Sequence, residues 1–253
     1  MLKAHGAAYA PIFLQTVAPV FEPLLAGCAG SGDASTLDLG HNAVCTYIDA
    51  CEFFGPAPDA HSRVVAAAVP HLLRGAALQD TSTALAMACT FGLGVLARQQ
   101  SPHVMPHLTT MVSVLAGVVQ RPDAKDEDFL DVTENAVSAL GAIAKMDGAP
   151  AELYPLWFAS LPLTSDEVEA KVVHRQLVEL VEAGAQVAVA DPARLVDILA
   201  QIVERKLDLV DRFTSDKVAA ILRALYAQQP AAFKGLEAAP TKRRAAVQGV
   251  LAQ

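Results

Sequence analysis

The sequence predicts an all-α fold, a right-handed α-solenoid of about five helical hairpins, and three observations carry that expectation. Apolar residues recur every three or four positions in long segments broken by polar or Gly/Pro-containing turns, the spacing that gives a helix one apolar face. Ala, Val and Leu dominate while only 6% of residues are aromatic, a mixture suited to close helix packing rather than to strands. The third observation is internal repetition. CTYIDACEFFG at Cys45 to Gly55 aligns with CTFGLGVLARQ at Cys89 to Gln99, 44 residues on, and FGLGVLA then aligns with SALGAIA at Ser138 to Ala144 after 47. LVELVEA from Leu177 and ILRALYA from Ile221 continue the series with looser matches.

The helical pairs follow in order along a single array covering residues 1–253. The first occupies 9–54, its helices meeting at the turn-rich loop GCAGSGDAS. The second occupies 61–98. A third, 102–145, opens at Ser101 or Pro102, reaches Val119, crosses the charged loop QRPDAKDED and returns from Phe129. The fourth, 151–183, turns at PLTSDE; the fifth, 192–227, spans Pro192 to Lys206 and Ser215 to Ala227; residues 230–253 close the array as a cap. Helical pairs repeating every 40 to 47 residues are the mark of HEAT-type arrays. One hairpin cannot bury its own apolar face, so neighbours stack into a continuous core. Pro19, Pro70 and Pro106 fall in the first helices of three consecutive pairs, where each is expected to bend the helix. Gly92, Gly94, Ala139 and Gly141 are expected to let second helices approach closely.

A formal net charge of −8 argues against direct nucleic-acid binding, which depends on Lys and Arg neutralising phosphates, and suits basic protein partners. Cys28, Cys45, Cys51 and Cys89 lie among apolar or small residues without CxxC spacing, so reduced thiols are expected rather than zinc or disulfides. No run of about 18 uninterrupted apolar residues and no signal-peptide pattern occurs, so a soluble intracellular chain without membrane insertion is expected. His103 and His107 have the spacing of a helical metal pair, but Pro106 intervenes and no general-base Glu accompanies them. Gly27, Gly30 and Gly32 follow no strand and precede no Lys-Ser/Thr pair, so they form an interhelical loop. No nucleophile elbow or spaced catalytic pair is present. The expectation is a non-enzymatic protein without cofactor or metal.

Four blocks carry a family resemblance: YIDACEFFGP at Tyr47 to Pro56, ALAMACTFGLGVLAR at Ala84 to Arg98, DVTENAVSALGAIAKM at Asp131 to Met146, and LYPLWFASLPLTSDEVEA at Leu153 to Ala170. In order and spacing they resemble the C-terminal HEAT repeats of the importin-β family of nuclear transport receptors, of the karyopherin beta-3 (importin five) type. The Thr133-Glu134-Asn135 helix and the Leu161-Pro162-Leu163 turn are the most specific pieces. The resemblance implies a protein that shuttles between cytoplasm and nucleus, associates with the nuclear pore, holds basic nuclear-localisation-signal cargo and contacts Phe-Gly nucleoporins. The GTP-bound form of Ran is bound in that family mainly through N-terminal repeats that this sequence lacks. The alternative is a HEAT-repeat scaffold outside transport.

Second helices of a HEAT array usually line its concave face, where polar side chains meet an extended partner. Asp49, Glu52, Asp131, Glu134, Asn135, Glu167, Lys171 and Glu179 are therefore candidate cargo or partner contacts, the carboxylates for Lys or Arg and Asn135 for a peptide backbone. Taken singly, each also reads as an ordinary solvated helix residue. Trp157, the only tryptophan, is a candidate partner pocket, with core packing as the plainer reading. Two charged runs have the same pair of readings. Asp123 to Asp128 is a solvated turn or a clamp for basic cargo, and Lys242 to Arg244 opens a terminal helix or serves as a localisation signal.

Overall fold

The computed structural model describes residues 2–28, 30–55, 58–100, 102–185, 190–205 and 208–252, and no strand occurs among them. The helix limits expected at Ser101 and Lys206 lie outside the described residues. Two compact units divide the chain, Met1–Leu153 and Tyr154–Gln253.

In the first unit a helical run passes from Ala10–Ile12 through a π-helical turn at Phe13–Val17 into α1 (Ala18–Cys28). There follow α2 (Ala34–Phe53), α3 (Pro58–Gly75), α4 (Thr83–Arg98), α5 (Leu108–Val119) and α6 (Leu130–Ile143). Helices α1 and α2, α3 and α4, and α5 and α6 pack as hairpins, while α2, α4 and α6 lie side by side. This is the hairpin stacking from which a right-handed α-solenoid is built.

Local chemistry sets the helix starts. Asp33 accepts the Thr36 amide at 2.9 Å and Ser82 accepts that of Leu85 at 3.2 Å, satisfying donors that a helix N-terminus leaves open. Pro23 and Pro70 lie inside α1 and α3, and Pro19 stands at the second position of α1. Pro106 departs from expectation: it sits in the 3-10 turn Met105–His107 ahead of α5, a position where its missing N–H leaves no helical bond unmade.

Glycine sets the spacing between helices. A Cβ on Gly40 would lie 2.2 Å from Cys28 Cβ, and one on Gly75 would lie 2.3 Å from Cys89 Sγ, so the paired helices of the first two hairpins meet with a thiol seated on bare backbone. Between hairpins, a Cβ on Gly92 would lie 2.7 Å from Ile48 Cδ1 and one on Gly94 would lie 3.3 Å from Ala139 Cα, while within the second hairpin the Gly92 Cβ would also come 3.0 Å from Leu72 Cδ2. Around these contacts Tyr47, Leu85, Leu93, Leu96, Met111, Leu115 and Leu140 are fully buried.

The run Ala10–Cys28 differs from the other helices. By length and composition this 19-residue run is apolar enough to cross a membrane, with a mean hydropathy of 1.3 over an 18-residue window of which only 22% is buried. Ala10, Phe13, Ala18, Leu25 and Cys28 face the unit's interior, while Ile12 and Val20 are exposed.

The second unit holds α7 (Leu153–Ala159, beginning at the boundary), α8 (Glu167–Glu182), α9 (Pro192–Arg205), α10 (Arg212–Gln228), a 3-10 segment Pro230–Ala238 and α11 (Thr241–Leu251). Helix α8 packs on α10, and α9 packs on α10, α11 and the 3-10 segment. Asp166 caps α8 through the amides of Val168 and Glu169, and Asp211 caps α10 through that of Thr214. Ion pairs join α8 to the start of α10: Arg175 to Asp211, and Lys217 Nζ to Glu182 Oε1 at 2.5 Å. The Leu161–Pro162 peptide is cis, and the Arg194 guanidinium donates to the carbonyls of Ala159 and Leu161 at that turn's entry. His174 is fully buried, its Nδ1–H donating to the Leu209 carbonyl at 2.9 Å. Burial pushes its pKa down to about 4, against which the Leu209 bond acts only in part.

Stability measurements test this packing. Gly40→Ala forces a methyl group into Cys28 and is expected to destabilise the chain by about 1–3 kcal/mol. Gly117→Ala, where an added Cβ meets nothing within 4 Å, is expected to stabilise by about 0.5–1 kcal/mol; urea melts of both variants check the pair. For His174 the folded pKa lies below the unfolded value, so the unfolded chain binds the extra proton between about pH 4 and 6.5. The stability held by neutral His174 is therefore complete above pH 6.5 and is lost as pH falls towards 4, by at most about 3 kcal/mol. Melting temperatures at neutral and acid pH should fall less for His174→Gln than for the parent chain.

Candidate functional site: an aromatic-walled cleft beside α2

Helix α2 carries Asp38, Asp49 and Glu52 and no Lys or Arg. Asp38, Asn42, Asp49 and Glu52 are exposed, and with half-buried Thr46 they recur at three- or four-residue steps, which places them on one helical face. The face is tied to its own backbone: Asn42 Nδ2 donates to the Asp38 carbonyl and Thr46 Oγ1 to the Asn42 carbonyl, both at 2.9 Å.

Between this face and the N-terminal helical run lies a cleft of about 420 Å³ lined by Lys3, Tyr9, Phe13, Val17, Thr46, Asp49 and Phe53. Phe13 and Val17 bound the π turn, so both of its ends face the cleft; single π turns inside helices recur at functional sites. Phe13 is fully buried and forms the floor, meeting Tyr47 and Phe54 edge-on at centroid distances of 5.4 and 5.3 Å. Gly6, at φ +43°, lets the first turn fold over the end of α2, where a Cβ would come 3.1 Å from the Phe53 carbonyl. Behind the cleft, Gln99 Nε2 donates to the Cys51 carbonyl at 2.7 Å and His61 Nε2 donates to Gln99 Oε1 at 3.0 Å. That chain of bonds anchors the end of α2 to the second hairpin. Tyr47 donates to Glu22 at 3.2 Å, and its phenol is pushed well above its ordinary pKa by burial and then by the Glu22 charge.

Of the residues expected from sequence, Asp49 lines the cleft and Glu52 is exposed beside it on α2. Asp131 is exposed in the first turn of α6, whereas Glu134 and Asn135, one turn on, are buried at 4% and 8% exposure. In the second unit Trp157 is fully buried, Glu167 is exposed, and Lys171 and Glu179 are half-buried. Sequence reasoning missed Tyr9, Phe13, Val17 and Phe53. Phe53 lay in plain view inside the repeated CTYIDACEFFG block, but only its repetition was informative; the π turn that turns Phe13 towards α2 has no sequence signature.

Other charged runs are partly tied up within the chain. Arg121 binds Asp80 through both terminal nitrogens at 2.8 and 3.0 Å and Asp123 through Nε and a terminal nitrogen at 2.8 Å, with its guanidinium 4.6 Å from the Phe129 ring centroid. These bonds hold both carboxyls below the usual carboxylate range and clasp the loops of the second and third hairpins. Asp126, Glu127 and Asp128 remain exposed. Of the basic run at the C-terminal helix, Arg243 bonds Glu204 at 2.9 Å and Asp197 at 3.4 Å, and Arg244 bonds the Glu237 carbonyl at 2.7 Å. The four cysteines are free thiols. Burial pushes Cys51 up to about 12 and raises Cys89 further, and Cys45, 3.6 Å from His41 Nε2, is raised by burial and by Asp49. Neutral thiols of this kind are poor nucleophiles.

Gly6→Ala places a side chain in left-handed backbone against the Phe53 carbonyl, at a cost of about 1–2 kcal/mol. Amide hydrogen exchange should quicken across residues 2–17 while exchange in α4 and α6 stays unchanged. No protein-family model matches the chain.

Proposed function

We propose that this chain is a protein-binding helical-repeat module that takes basic segments of partner proteins on the acidic face of α2. The stacked hairpins are a scaffold of the general kind that serves protein–protein interaction. The observation that carries the reading is an exposed helix face with three carboxylates and no Lys or Arg, one of whose carboxylates, Asp49, borders an open cleft. The net charge of −8 adds long-range attraction for basic partners.

Within this reading, the resemblance of the four sequence blocks to importin-β-type receptors supports nuclear import of basic cargo as the role. It carries with it contact with Phe-Gly nucleoporins, residence in cytoplasm and nucleus, and binding rather than catalysis. A scaffold outside transport is the second reading. The pairing of Asp80, Asp123, Asp197 and Glu204 with arginines of the same chain favours it, because those carboxylates are already neutralised and the acidic surface is smaller than composition suggests.

The test is binding of a fluorescent Lys/Arg-rich peptide to the purified chain at about 50 and about 200 mM salt. The expected result is salt-sensitive binding that Asp49→Asn with Glu52→Gln weakens about three- to tenfold, equivalent to about 0.7–1.4 kcal/mol. Binding that ignores both salt and the double substitution would sink the acidic-face reading. Capture from extract of basic nuclear proteins, released by GTP-locked Ran or by salt, would favour transport; one stoichiometric client indifferent to both would favour the scaffold.

A further inference from the structure

We infer that the outer flank of the first hairpin docks residues 230–253 of a second copy of this chain, head to tail. The inference goes beyond the partner-binding reading and does not depend on which basic segment α2 serves. It starts from an excess of exposed surface. On α3 the exposed residues Asp59, Arg63, Ala66, Pro70 and Arg74 recur at three- or four-residue steps and make one strip. The N-terminal run has two such strips, one of Pro11, Gln15 and Pro19 and another of Ile12, Thr16 and Val20. Ile12 and Val20 are 51% and 59% exposed. Stacking explains the difference, because helical repeats bury their flanks on one another. Helix α4 of the second hairpin meets Ile48 of α2 at Gly92 and Ala139 of α6 at Gly94. Among the described residues, the first hairpin has a neighbouring hairpin on one side only.

The chemistry of that flank selects what covers it. At the 44-residue offset Asp49 and Glu52 of α2, both exposed, stand where α4 has Leu93 and Leu96, both buried. A neighbour with an apolar flank of the ordinary repeat kind would bury those carboxylates unpaired, which is costly. Residues 1–55 carry one Lys against five Asp or Glu, a net charge of −4. Two such flanks repel each other, so a two-fold dimer through this face is disfavoured. The covering surface is therefore basic, and low enough in relief to receive Ile12 and Val20.

The chain itself supplies such a surface. Residues 1–153 carry seven Lys or Arg against fifteen Asp or Glu, and residues 154–253 carry twelve of each, so the whole net charge of −8 lies in the first unit. Within the second unit, residues 230–253 carry four Lys or Arg against one Glu, a net charge of +3. Lys234 and Lys242 are exposed and, among the described residues, have no ion-pair partner. Arg244 bonds the Glu237 carbonyl and the Thr241 hydroxyl, neither of which cancels its charge. On α11, Lys242, Ala245 and Gly249 are exposed at three- and four-residue steps, and an added Cβ on Gly249 would meet nothing within 4 Å. Protruding Ile and Val side chains can reach the backbone of such a strip, as Ile48 reaches Gly92 inside the array. Because the two surfaces differ, the contact is heterologous and can add further copies.

The experiment is sedimentation velocity of the full chain at about 1 and about 100 µM protein, in about 50 and about 500 mM salt. The expected result is an average mass that rises with protein concentration, with a smaller rise at high salt. Lys234→Glu with Lys242→Glu reverses the charge of one surface, and Asp49→Lys with Glu52→Lys reverses that of the other. Each double variant alone should associate at least about tenfold more weakly than the parent chain. An equimolar mixture of the two should recover association, which also shows that both fold. Ile12→Ser with Val20→Ser should weaken association at both salt concentrations. A chain that stays monomeric across the range overturns the inference. Association that ignores salt, or that either charge-reversed variant shows undiminished by itself, overturns it as well.

Discussion

The side-by-side packing of α2, α4 and α6 depends on the absence of side chains at Gly92 and Gly94. Ile48 of α2 and Leu72 of α3 reach into the space that a Cβ on Gly92 would fill, and the α6 backbone at Ala139 closes on Gly94 from the other side. Each glycine costs about 1 kcal/mol of helix propensity relative to Ala. The return is close contact along helices whose core residues, from Tyr47 to Leu140, lie out of water, at about 25 cal/mol for each Å² of apolar surface buried. Gly40 and Gly75 do the same within the first two hairpins, each receiving a cysteine. The Cys89 thiol is kept neutral by the same burial that makes it a good packing unit.

That spacing also builds the cleft. With α2 held from behind by α4, and its end bonded to Gln99, the helix presents a fixed outer face of carboxylates and hydroxyls. The N-terminal run then lies across it, seated by Phe13 on Tyr47 and Phe54. Rigid support on one side and a lightly buried wall on the other, with only Ala10, Phe13, Ala18, Leu25 and Cys28 of Ala10–Cys28 inside, is an arrangement suited to recognising an extended partner segment. The second unit uses different cement. Salt bridges between Arg175 and Asp211, Lys217 and Glu182, and Arg243 with Glu204 supplement a core that includes a buried neutral histidine, whose protonation in acid works against the folded state.

Much of the fold was legible because its signals are local. Apolar residues recur at helical spacing in long segments, and the 44- and 47-residue offsets belong to second helices that pack side by side. Asp49 was legible as a candidate because exposed carboxylates on second helices are visible in a helical projection. Glu134 and Asn135 looked equally eligible there; their burial comes from the close approach of neighbouring helices to α6, which no projection of one helix contains. Likewise Asp123 and Arg243 read as free charges until the loop and helix carrying their partners were brought alongside.

The sequence by itself determined that the fold is all-α, that second helices repeat, and which positions are small enough for close approach, because these depend on periodicity and side-chain volume. Only the tertiary structure decided which carboxylates face solvent, that a π turn directs Phe13 and Val17 towards α2, and that Lys3, Tyr9, Phe53 and Asp49 share one cleft. The physical reason is that these depend on distances between residues up to 50 positions apart, and on backbone geometry that tertiary packing selects rather than local preference.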